Sequence, residues 1–520
     1  MLGQLAVVLG LMLATALLVA VGERVRRPYP VLVLLLGVAL ALMPGVPDVR
    51  IDPELILPIF LPPLIFAAAQ RSSWGMILAH RRTVVWMALV LVLVTVAAVA
   101  WTTWLVIPGV TAAAAIAFGA LTAPPDPVAA EAVAEPLRLP RRLVTTLQSE
   151  GLCNDATALV VYGVAVQAML SGTYSVPVAV LDFCYEAGAA VLLGLGAAWL
   201  ARWLLARIAE ETARNALTLV VPFATYLAAD AIGASGVLAV LAAGLTLGRS
   251  TDQDAGVKDR LYGGAFWDTL ELLITGLAFG LIGLELRAVL EAGVDLKVAA
   301  WHAAAICVVI VGVRFAWMAV SGPMARRSGD PDLVPANWRE DLVLAYCGMR
   351  GLATLALALA LPLDTPARGE LLLAAFAVIA VTLVLPGLTL PPLVRALGVQ
   401  ADADAELAAT RPLAIRAGRA ALGRLNELAE GEELPDEVVE RLRERHRSML
   451  VQLGDEPGSD DYQQVLRERV RQVKLYRQVE DQMVMAARAE ILRARREPGV
   501  DPKAADQVLR RLDLQSSARA

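Results

Sequence analysis

Residues 149 to 157 read Ser149-Glu-Gly-Leu-Cys-Asn-Asp-Ala-Thr157 and stand inside a long apolar segment of the chain. Glu150, Asn154 and Asp155 therefore fall where the surrounding residues would form a membrane-spanning helix. Ionisable groups inside such a helix cost several kcal/mol unless they are paired or hydrated, so each is a candidate functional residue. At about 100° per residue, Asp155 can face a water-filled cavity while Glu150 points toward a neighbouring helix.

The composition of the whole chain supports a membrane location. Apolar residues make up 57% of its 520 residues and the mean hydropathy is +0.60, whereas soluble domains are about 45–50% apolar. A spanning helix needs about 20 mostly apolar residues. Thirteen segments qualify, at approximately 2–22, 30–45, 53–69, 83–107, 110–133, 143–170, 176–206, 215–231, 233–248, 264–286, 297–320, 340–361 and 370–397. The sequence predicts an all-α polytopic membrane protein with about thirteen transmembrane helices.

The distribution of arginine and lysine predicts the orientation. Alternate loops are rich in these residues, and cytoplasmic loops carry such an excess. The rich loops contain Arg24, Arg26 and Arg27, then Arg71, Arg81 and Arg82, and four later groups ending with Arg326, Arg327 and Arg339. We therefore expect a multi-pass protein of the cell membrane with its N-terminus outside and its C-terminus in the cytoplasm. Residues 1–398 would form the transmembrane domain and 399–520 a charged, helical cytoplasmic tail, in which helical periodicity with strong charge predicts helices at 435–452 and 462–496.

The fifth segment cannot be one continuous helix. It contains Leu121-Thr-Ala-Pro-Pro-Asp-Pro127, and a proline within a helix removes a backbone donor and clashes with the preceding turn. Pro124, Pro125 and Pro127 together predict a break in the membrane. Broken helices at that depth line cavities, and in transporters their ends and unwound carbonyls coordinate ions. Asp126 would complement the positive end of the second half-helix.

Two arginines lie in other apolar segments. Arg314 needs an anion, and Glu150 is the natural partner, so we predict a structural ion pair. Arg350 stands between Gly348 and Gly351 and suggests a second interrupted helix. Two interrupted segments, one in each half of the membrane region, are typical of a transporter with inverted repeats.

Five motifs together resemble the monovalent cation:proton antiporter family, the sodium/proton exchangers, in particular a bacterial branch with a cytoplasmic tail. They are Glu150-Gly-Leu-Cys-Asn-Asp-Ala-Thr-Ala-Leu-Val160, Pro125-Asp-Pro-Val-Ala-Ala130, Phe60-Leu-Pro-Pro-Leu-Ile-Phe66, Phe279-Gly-Leu-Ile-Gly-Leu-Glu-Leu286, and Arg350-Gly351 followed by an apolar run to Pro362. The resemblance covers approximately residues 5 to 400.

The resemblance implies roles for these residues. Asp155 would be the carboxylate that holds the cation or the proton, with Asn154 as its neighbour and the broken fifth helix supplying a main-chain carbonyl. The residues predicted to bind the cation or proton are Asp155, Asn154, Pro125, Asp126 and Thr122.

This chain departs from the family pattern at three positions. Gly151 stands where many relatives have Ser, Pro125 where many have Thr, and Ala67 where some have Glu. The carbonyl of Pro125 remains whatever its side chain, but the loss of the hydroxyl and of the carboxylate leaves K+ possible beside Na+.

The predicted function is secondary active exchange of a monovalent cation for H+ by alternating access. Na+ is the first candidate cation, K+ or Li+ remain possible, and the stoichiometry is expected to be an electroneutral 1:1. Such a protein would serve pH and sodium homeostasis, work as a homodimer in the lipid bilayer, and need no cofactor and no nucleic acid. Two alternatives stay open, a membrane-embedded enzyme that uses buried carboxylates and a gated cation channel.

Overall fold

The computed structural model describes residues 2–25, 27–44, 53–71, 85–134, 137–171, 176–254, 257–291, 295–327, 337–400, 403–431 and 435–452, with short pieces at 482–487, 489–494 and 508. The regular structure in these ranges is helical throughout, without a strand. The chain divides into two compact units, Met1–Ala401 and Asp402–Ala520. Several arginines behind the predicted orientation, among them Arg26, Arg81 and Arg82, lie outside the described residues.

The first unit is built from sixteen helices within the described ranges. They are α1 (Leu2–Val25), α2 (Tyr29–Leu42), α3 (Pro53–Arg71), α4 (Leu91–Val106, after a π-helical turn at Val85–Val90), α5 (Ala112–Thr122), α6 (Pro127–Ala134), α7 (Arg141–Ser171), α8 (Val176–Leu205), α9 (Glu211–Ala231), α10 (Gly236–Asp254), α11 (Val257–Glu291), α12 (Leu296–Arg327), α13 (Trp338–Tyr346), α14 (Leu352–Leu359), α15 (Arg368–Ile379) and α16 (Leu385–Leu397). A π-helical segment, Ala380–Val384, joins α15 to α16.

Long apolar helices confirm the prediction of a multi-span helical protein. Among the described residues, six helices are long and apolar enough to cross a membrane, and four shorter apolar helices accompany them. Leu9, Leu13 and Leu17 on α1 are each more than half exposed, as are Trp101 on α4 and Trp301 on α12. Apolar surface of this extent would drive association in water, so these faces suit lipid contact.

The interior of the first unit is organised around its short helices. One apolar cluster contains Val133 of α6, Phe279 of α11 and Leu352 of α14. A second contains Phe118 of α5 and Leu357 of α14. Because α14 contributes to both clusters, it is held on two sides, and the segment preceding it has a fixed position.

The second unit contains α17 (Ala403–Gly431) and α18 (Asp436–Gln452). The sequence predicted the second of these from its charge periodicity but not the first, whose small residues and internal Pro412 weaken the helical signal. Most of the further helix expected at 462–496 lies outside the described residues.

Candidate ion-binding site

The first helix break lies at the predicted prolines. Helix α5 ends at Thr122, and α6 begins at Pro127, whose fixed φ and missing N–H suit the first position of a helix. Oδ1 of Asp126 accepts hydrogen bonds from the backbone N–H of Val128, 2.9 Å, and of Ala129, 3.1 Å. Asp126 therefore caps α6, where a side-chain oxygen satisfies amides that have no partner within the helix.

The second break separates α13, which ends at Tyr346, from α14, which begins at Leu352. The two breaks touch each other. The backbone N–H of Asp126 donates to the carbonyl of Met349 at 2.6 Å, and the N–H of Leu352 donates to Oδ2 of Asp126 at 3.3 Å. One carboxylate thus accepts from the N-termini of both α6 and α14, where helix dipoles favour negative charge.

Gly351 makes this close approach possible. A Cβ atom at position 351 would lie 1.8 Å from Oδ2 of Asp126, far inside van der Waals contact. Any larger residue would therefore push the two breaks apart.

Arg350 fastens the second break to the end of α5. Its Nε donates to the carbonyl of Thr122 at 3.0 Å, its Nη2 to the carbonyl of Ala123 at 3.1 Å, and its Nη1 to the carbonyl of Gly348. The side chain is buried, 2% exposed. Carbonyls at a helix C-terminus have no partner within the helix and carry the negative end of its dipole, so this cation is compensated by backbone. The sequence indicated the break but not these contacts.

The structure places Arg314 of α12 directly against Glu150 of α7. Nη1 and Nη2 lie 2.5 and 2.9 Å from the two carboxylate oxygens, and both residues are buried. Nη2 also donates to the carbonyl of Leu344 at 3.2 Å. The paired geometry satisfies both charges away from water, as a buried ion pair requires.

Asn154 and Asp155 occupy different environments although they are adjacent. Asn154 is fully buried and its Nδ2 donates to the carbonyl of Pro125 at 3.0 Å. Asp155 is partly exposed and lines a cavity of about 60 Å³ together with Asp126 and Pro125. A water molecule needs about 10–15 Å³ measured in this way, so the cavity has room for several waters or a partly hydrated cation.

Thr122 is positioned differently from the other predicted ligands. Its hydroxyl donates to the carbonyls of Phe118 at 2.9 Å and Gly119 at 3.2 Å within α5, and its own carbonyl accepts from Arg350. Neither Thr122 nor Asn154 is among the residues that line the cavity. The structure therefore places Asp155, Asp126 and Pro125 at the cavity. Asn154 does not line the cavity but contacts the carbonyl of Pro125, which does.

The cavity is also lined by charged side chains, of which Arg71 entered the sequence-based predictions only through its loop charge. Arg71, the last residue of α3, lines the cavity with Glu131. Its two terminal nitrogens donate to Glu271 of α11 at 2.7 and 3.0 Å. Glu271, which stands in an apolar segment, thus has an ion-pair partner.

Comparison with known proteins identifies the family. A family model described as "Sodium/hydrogen exchanger, transmembrane" matches residues 11–396 of the chain. An uncharacterised Na+/H+ exchanger of Mycobacterium tuberculosis is 33% identical over 503 residues, which cover 91% of this chain and 90% of that protein. This chain belongs to the sodium/hydrogen exchanger family. The exchanger is consequently a membrane transporter and not an enzyme, and the alternative of a membrane-embedded enzyme was wrong.

Two further proteins are similar to the exchanger, one in sequence and one in fold. A sodium, potassium, lithium and rubidium/H+ antiporter of Bacillus pumilus is 29% identical over 384 residues, covering 70% of this chain and 57% of that protein. The structure of the sodium proton antiporter MjNhaP1 from Methanocaldococcus jannaschii matches with a TM-score of 0.59 at 20% identity, covering 76% of this chain and 99% of that one. The second likeness shows that the fold is shared.

Two departures of the exchanger from its family pattern have local structural reasons. A Cβ atom at Gly151 would lie 2.3 Å from Cβ of Pro127, so a serine there would collide with the start of α6. Ala67 is buried in an apolar cluster with Phe66 and Val240, where a carboxylate would be costly to bury.

Proposed function

We propose that the exchanger couples the movement of a monovalent cation to that of H+ through Asp155. The observation that carries this proposal is the placement of Asp155, which is partly exposed in the cavity beside the two helix breaks. A carboxylate in such a place binds either a proton or a cation. Competition for one carboxylate couples the two fluxes when the site opens to one side of the membrane at a time.

The ligands proposed for the cation are the Asp155 carboxylate and the carbonyl of Pro125, with Asp126 close by. Hard monovalent cations prefer oxygen ligands of this kind. Asn154 acts as a positioning residue, because its hydrogen bond fixes α7 against the Pro125 carbonyl. Thr122 is not proposed as a side-chain ligand, since it is fully buried and does not line the cavity.

Na+ is the proposed principal cation, and K+ is the second candidate. Gly151 and Ala67 supply neither hydroxyl nor carboxylate to the site, and fewer ligands weaken the selection for a small ion. The Bacillus pumilus relative is named for sodium, potassium, lithium and rubidium, which is in keeping with a permissive site.

The remaining parts of the proposal concern architecture. The two breaks fall in the fifth and the twelfth of the thirteen apolar segments, one in each half of the membrane region. Interrupted helices at matching positions of the two halves support thirteen spans arranged as inverted repeats. The loop charges favour an outer N-terminus and a cytoplasmic C-terminus. A homodimer in the cell membrane that serves pH and sodium homeostasis completes the proposal.

Flux measurements in proteoliposomes test the assignment. Wild-type protein should release or take up protons when Na+, K+ or Li+ is added, with Na+ giving the largest response at a given concentration. Asp155→Asn should abolish the response, because the amide keeps the volume but cannot alternate between proton and cation. Folding is checked by size-exclusion chromatography and thermal unfolding. Full exchange in a folded Asp155→Asn protein would show that the site lies elsewhere.

A further inference from the structure

The cavity that contains Asp155 has an exposed end at Arg71. Five residues of α3 line the cavity, and they recur every three or four positions along one face of the helix, namely Leu61, Leu64, Ile65, Ala68 and Arg71. The distance from Leu61 to Arg71 is roughly 15 Å along a helix. Among the described residues that line the cavity, Arg71 alone is exposed. A cation that enters from solvent at this end therefore passes a positive charge.

The charge of Arg71 cannot be removed by loss of a proton, because arginine stays protonated in proteins. A cleft collects cations when its fixed charges are negative, and three carboxylates line this one, those of Asp126, Glu131 and Asp155. An unpaired guanidinium at the exposed end would offset part of their attraction for a cation. Arg71 therefore needs a counter-charge if the cavity is to take up cations.

Glu271 of α11 supplies this counter-charge. Nη1 and Nη2 of Arg71 lie 2.7 and 3.0 Å from the two carboxylate oxygens of Glu271, the paired geometry that makes arginine–carboxylate contacts strong and directional. The Glu271 side chain is 15% exposed, so water screens the pair incompletely. Asp268 lies 3.8 Å from Nη1, but its side chain is 73% exposed and its charge is largely screened. The Arg71 guanidinium is thus held mainly by Glu271.

A second acid attracts the same guanidinium from the cavity wall. Glu131 of α6 is close enough to Arg71 to act on it electrostatically, and Glu131 lines the cavity. The pair with Glu271 engages both terminal nitrogens of Arg71 and directs them to α11. Without Glu271, Arg71 would turn toward Glu131, neutralise one carboxylate of the cavity and bring its own charge onto the path of the cation.

We propose that Glu271 is a positioning residue for cation uptake, which holds the Arg71 guanidinium against α11 and so sets the affinity of the exchanger for its monovalent cation. Arg71 is then a tethered cation that competes with the transported one. This rests on the proposed function in that the transported cation passes through the Asp155 cavity. The pair affects the concentration of cation that is required and leaves the maximal rate of exchange nearly unchanged.

The apparent KM for Na+ in proteoliposomes tests this role. Glu271→Gln should raise that KM about tenfold, the lower end of what fixed charge in a cleft does to the local ion concentration. Adding Arg71→Gln to Glu271→Gln should return the KM to the wild-type value, because the competing guanidinium is then absent. Asp268→Asn, one turn away on α11, is the matched control and should keep the wild-type KM.

Arg71→Gln alone keeps the test decisive if Glu271→Gln does not fold. It removes the competing cation and leaves the negative charge of Glu271, so its KM for Na+ should be lower than that of wild type. The proposal is overturned if Arg71→Gln does not lower the KM, or if a folded Glu271→Gln protein has the wild-type KM. A raised KM that persists in the double variant would also overturn it, since the defect would then be structural.

The electrostatic potential of the cavity is measured by thiol chemistry at position 68, one turn from Arg71 on the face of α3 that lines the cavity. The native cysteines are first replaced by alanine, namely Cys153, Cys184, Cys307 and Cys347. Ala68→Cys is then treated with a cationic and an anionic methanethiosulfonate, and each rate is divided by that of a free thiol. Glu271→Gln should lower the ratio of the cationic to the anionic rate severalfold, and adding Arg71→Gln should restore it.

A ratio that Glu271→Gln leaves unchanged would show that Glu271 does not set the potential of the cavity. The thiol reaction requires no ion exchange. If a folded Asp155→Asn protein still exchanges, the proposed ion site fails, whereas the rate ratio and its reversal by Arg71→Gln still decide the role of Glu271.

Discussion

Nδ2 of Asn154 and the carbonyl oxygen of Pro125 lie 3.0 Å apart, and this hydrogen bond ties the middle of α7 to the first helix break. Pro125 precedes Asp126, which caps α6 and accepts from the start of α14. The amide of Asn154 therefore positions the unwound backbone that the proposed cation would contact.

Asn154→Ala should lower both stability and exchange. The carbonyl of Pro125 would lose its buried partner, which costs about 1–3 kcal/mol, and the break would shift relative to Asp155. Thermal unfolding reports the first effect, and the apparent KM for Na+ reports the second. Asn154→Gln keeps the amide but places it one carbon farther from the backbone. Its thermal stability should therefore also fall and its apparent KM for Na+ should also rise. An Asn154→Ala protein with wild-type KM would contradict the positioning role.

Glu150 and Arg314 should behave as a coupled pair. Arg314→Ala strands a buried carboxylate, and breaking one side of a buried pair typically costs about 3–5 kcal/mol. Glu150→Gln combined with Arg314→Met should recover much of that stability, because neither side chain then carries a charge. The free energies of unfolding of the two single variants and the double variant form the test. If the double variant is no more stable than Arg314→Ala, the ion pair between Glu150 and Arg314 is not what determines the stability lost in the single variant.

Local and long-range features of the site were predictable to different degrees. Pro124, Pro125 and Pro127 predicted the first break because proline acts on its own backbone. Arg314 was paired with Glu150 across 164 residues because a buried charge requires an opposite one. The contacts of Arg350 were not predictable, since its partners are carbonyls of Thr122 and Ala123 and every residue carries a carbonyl.

The same distinction applies to Asp126 and to the second unit. The sequence predicted that Asp126 complements the positive N-terminal end of α6, its neighbour in the chain. It did not predict the hydrogen bond from Leu352, 226 residues away, because that contact depends on how the two breaks pack. Helix α17 was missed because its apolar periodicity is interrupted by small residues and by Pro412.

Gly351→Ala should disrupt the junction of the two helix breaks. The added Cβ would fall 1.8 Å from Oδ2 of Asp126, so either the carboxylate or the start of α14 must move. We expect lower thermal stability and loss of Na+/H+ exchange. Gly163→Ala on α7 is the matched control, because a Cβ there meets nothing within 4 Å. In a helix that change should be neutral or stabilising by about 0.5–1 kcal/mol. If Gly351→Ala and Gly163→Ala have the same thermal stability and the same exchange activity, a clash between position 351 and Asp126 does not limit either property.

The last prediction concerns the charge moved in each cycle. Two protons per cation would require a second titrating group in the site, and the residue beside Asp155 is the amide of Asn154, which cannot titrate. Glu150 is engaged by both terminal nitrogens of Arg314, and Asp126 accepts backbone hydrogen bonds from α6 and α14. Asp155 alone then cycles, one proton is exchanged for one monovalent cation, and no net charge crosses the membrane.

A membrane potential acts on moved charge at about 2.3 kcal/mol per unit charge per 100 mV, so an electroneutral exchange has no thermodynamic dependence on it. The measurement sets the membrane potential with a gradient of the permeant anion thiocyanate, because K+ is itself a candidate substrate, and uses Na+ as the transported ion. The Na+ gradient that just balances a fixed pH gradient is determined at two potentials and should be the same at both. Asn154→Asp, where it folds, is the informative companion, because it places a second carboxylic acid beside Asp155. If the wild-type balance point moves with potential, a second proton takes part, and Asp126 or Glu150 must supply it.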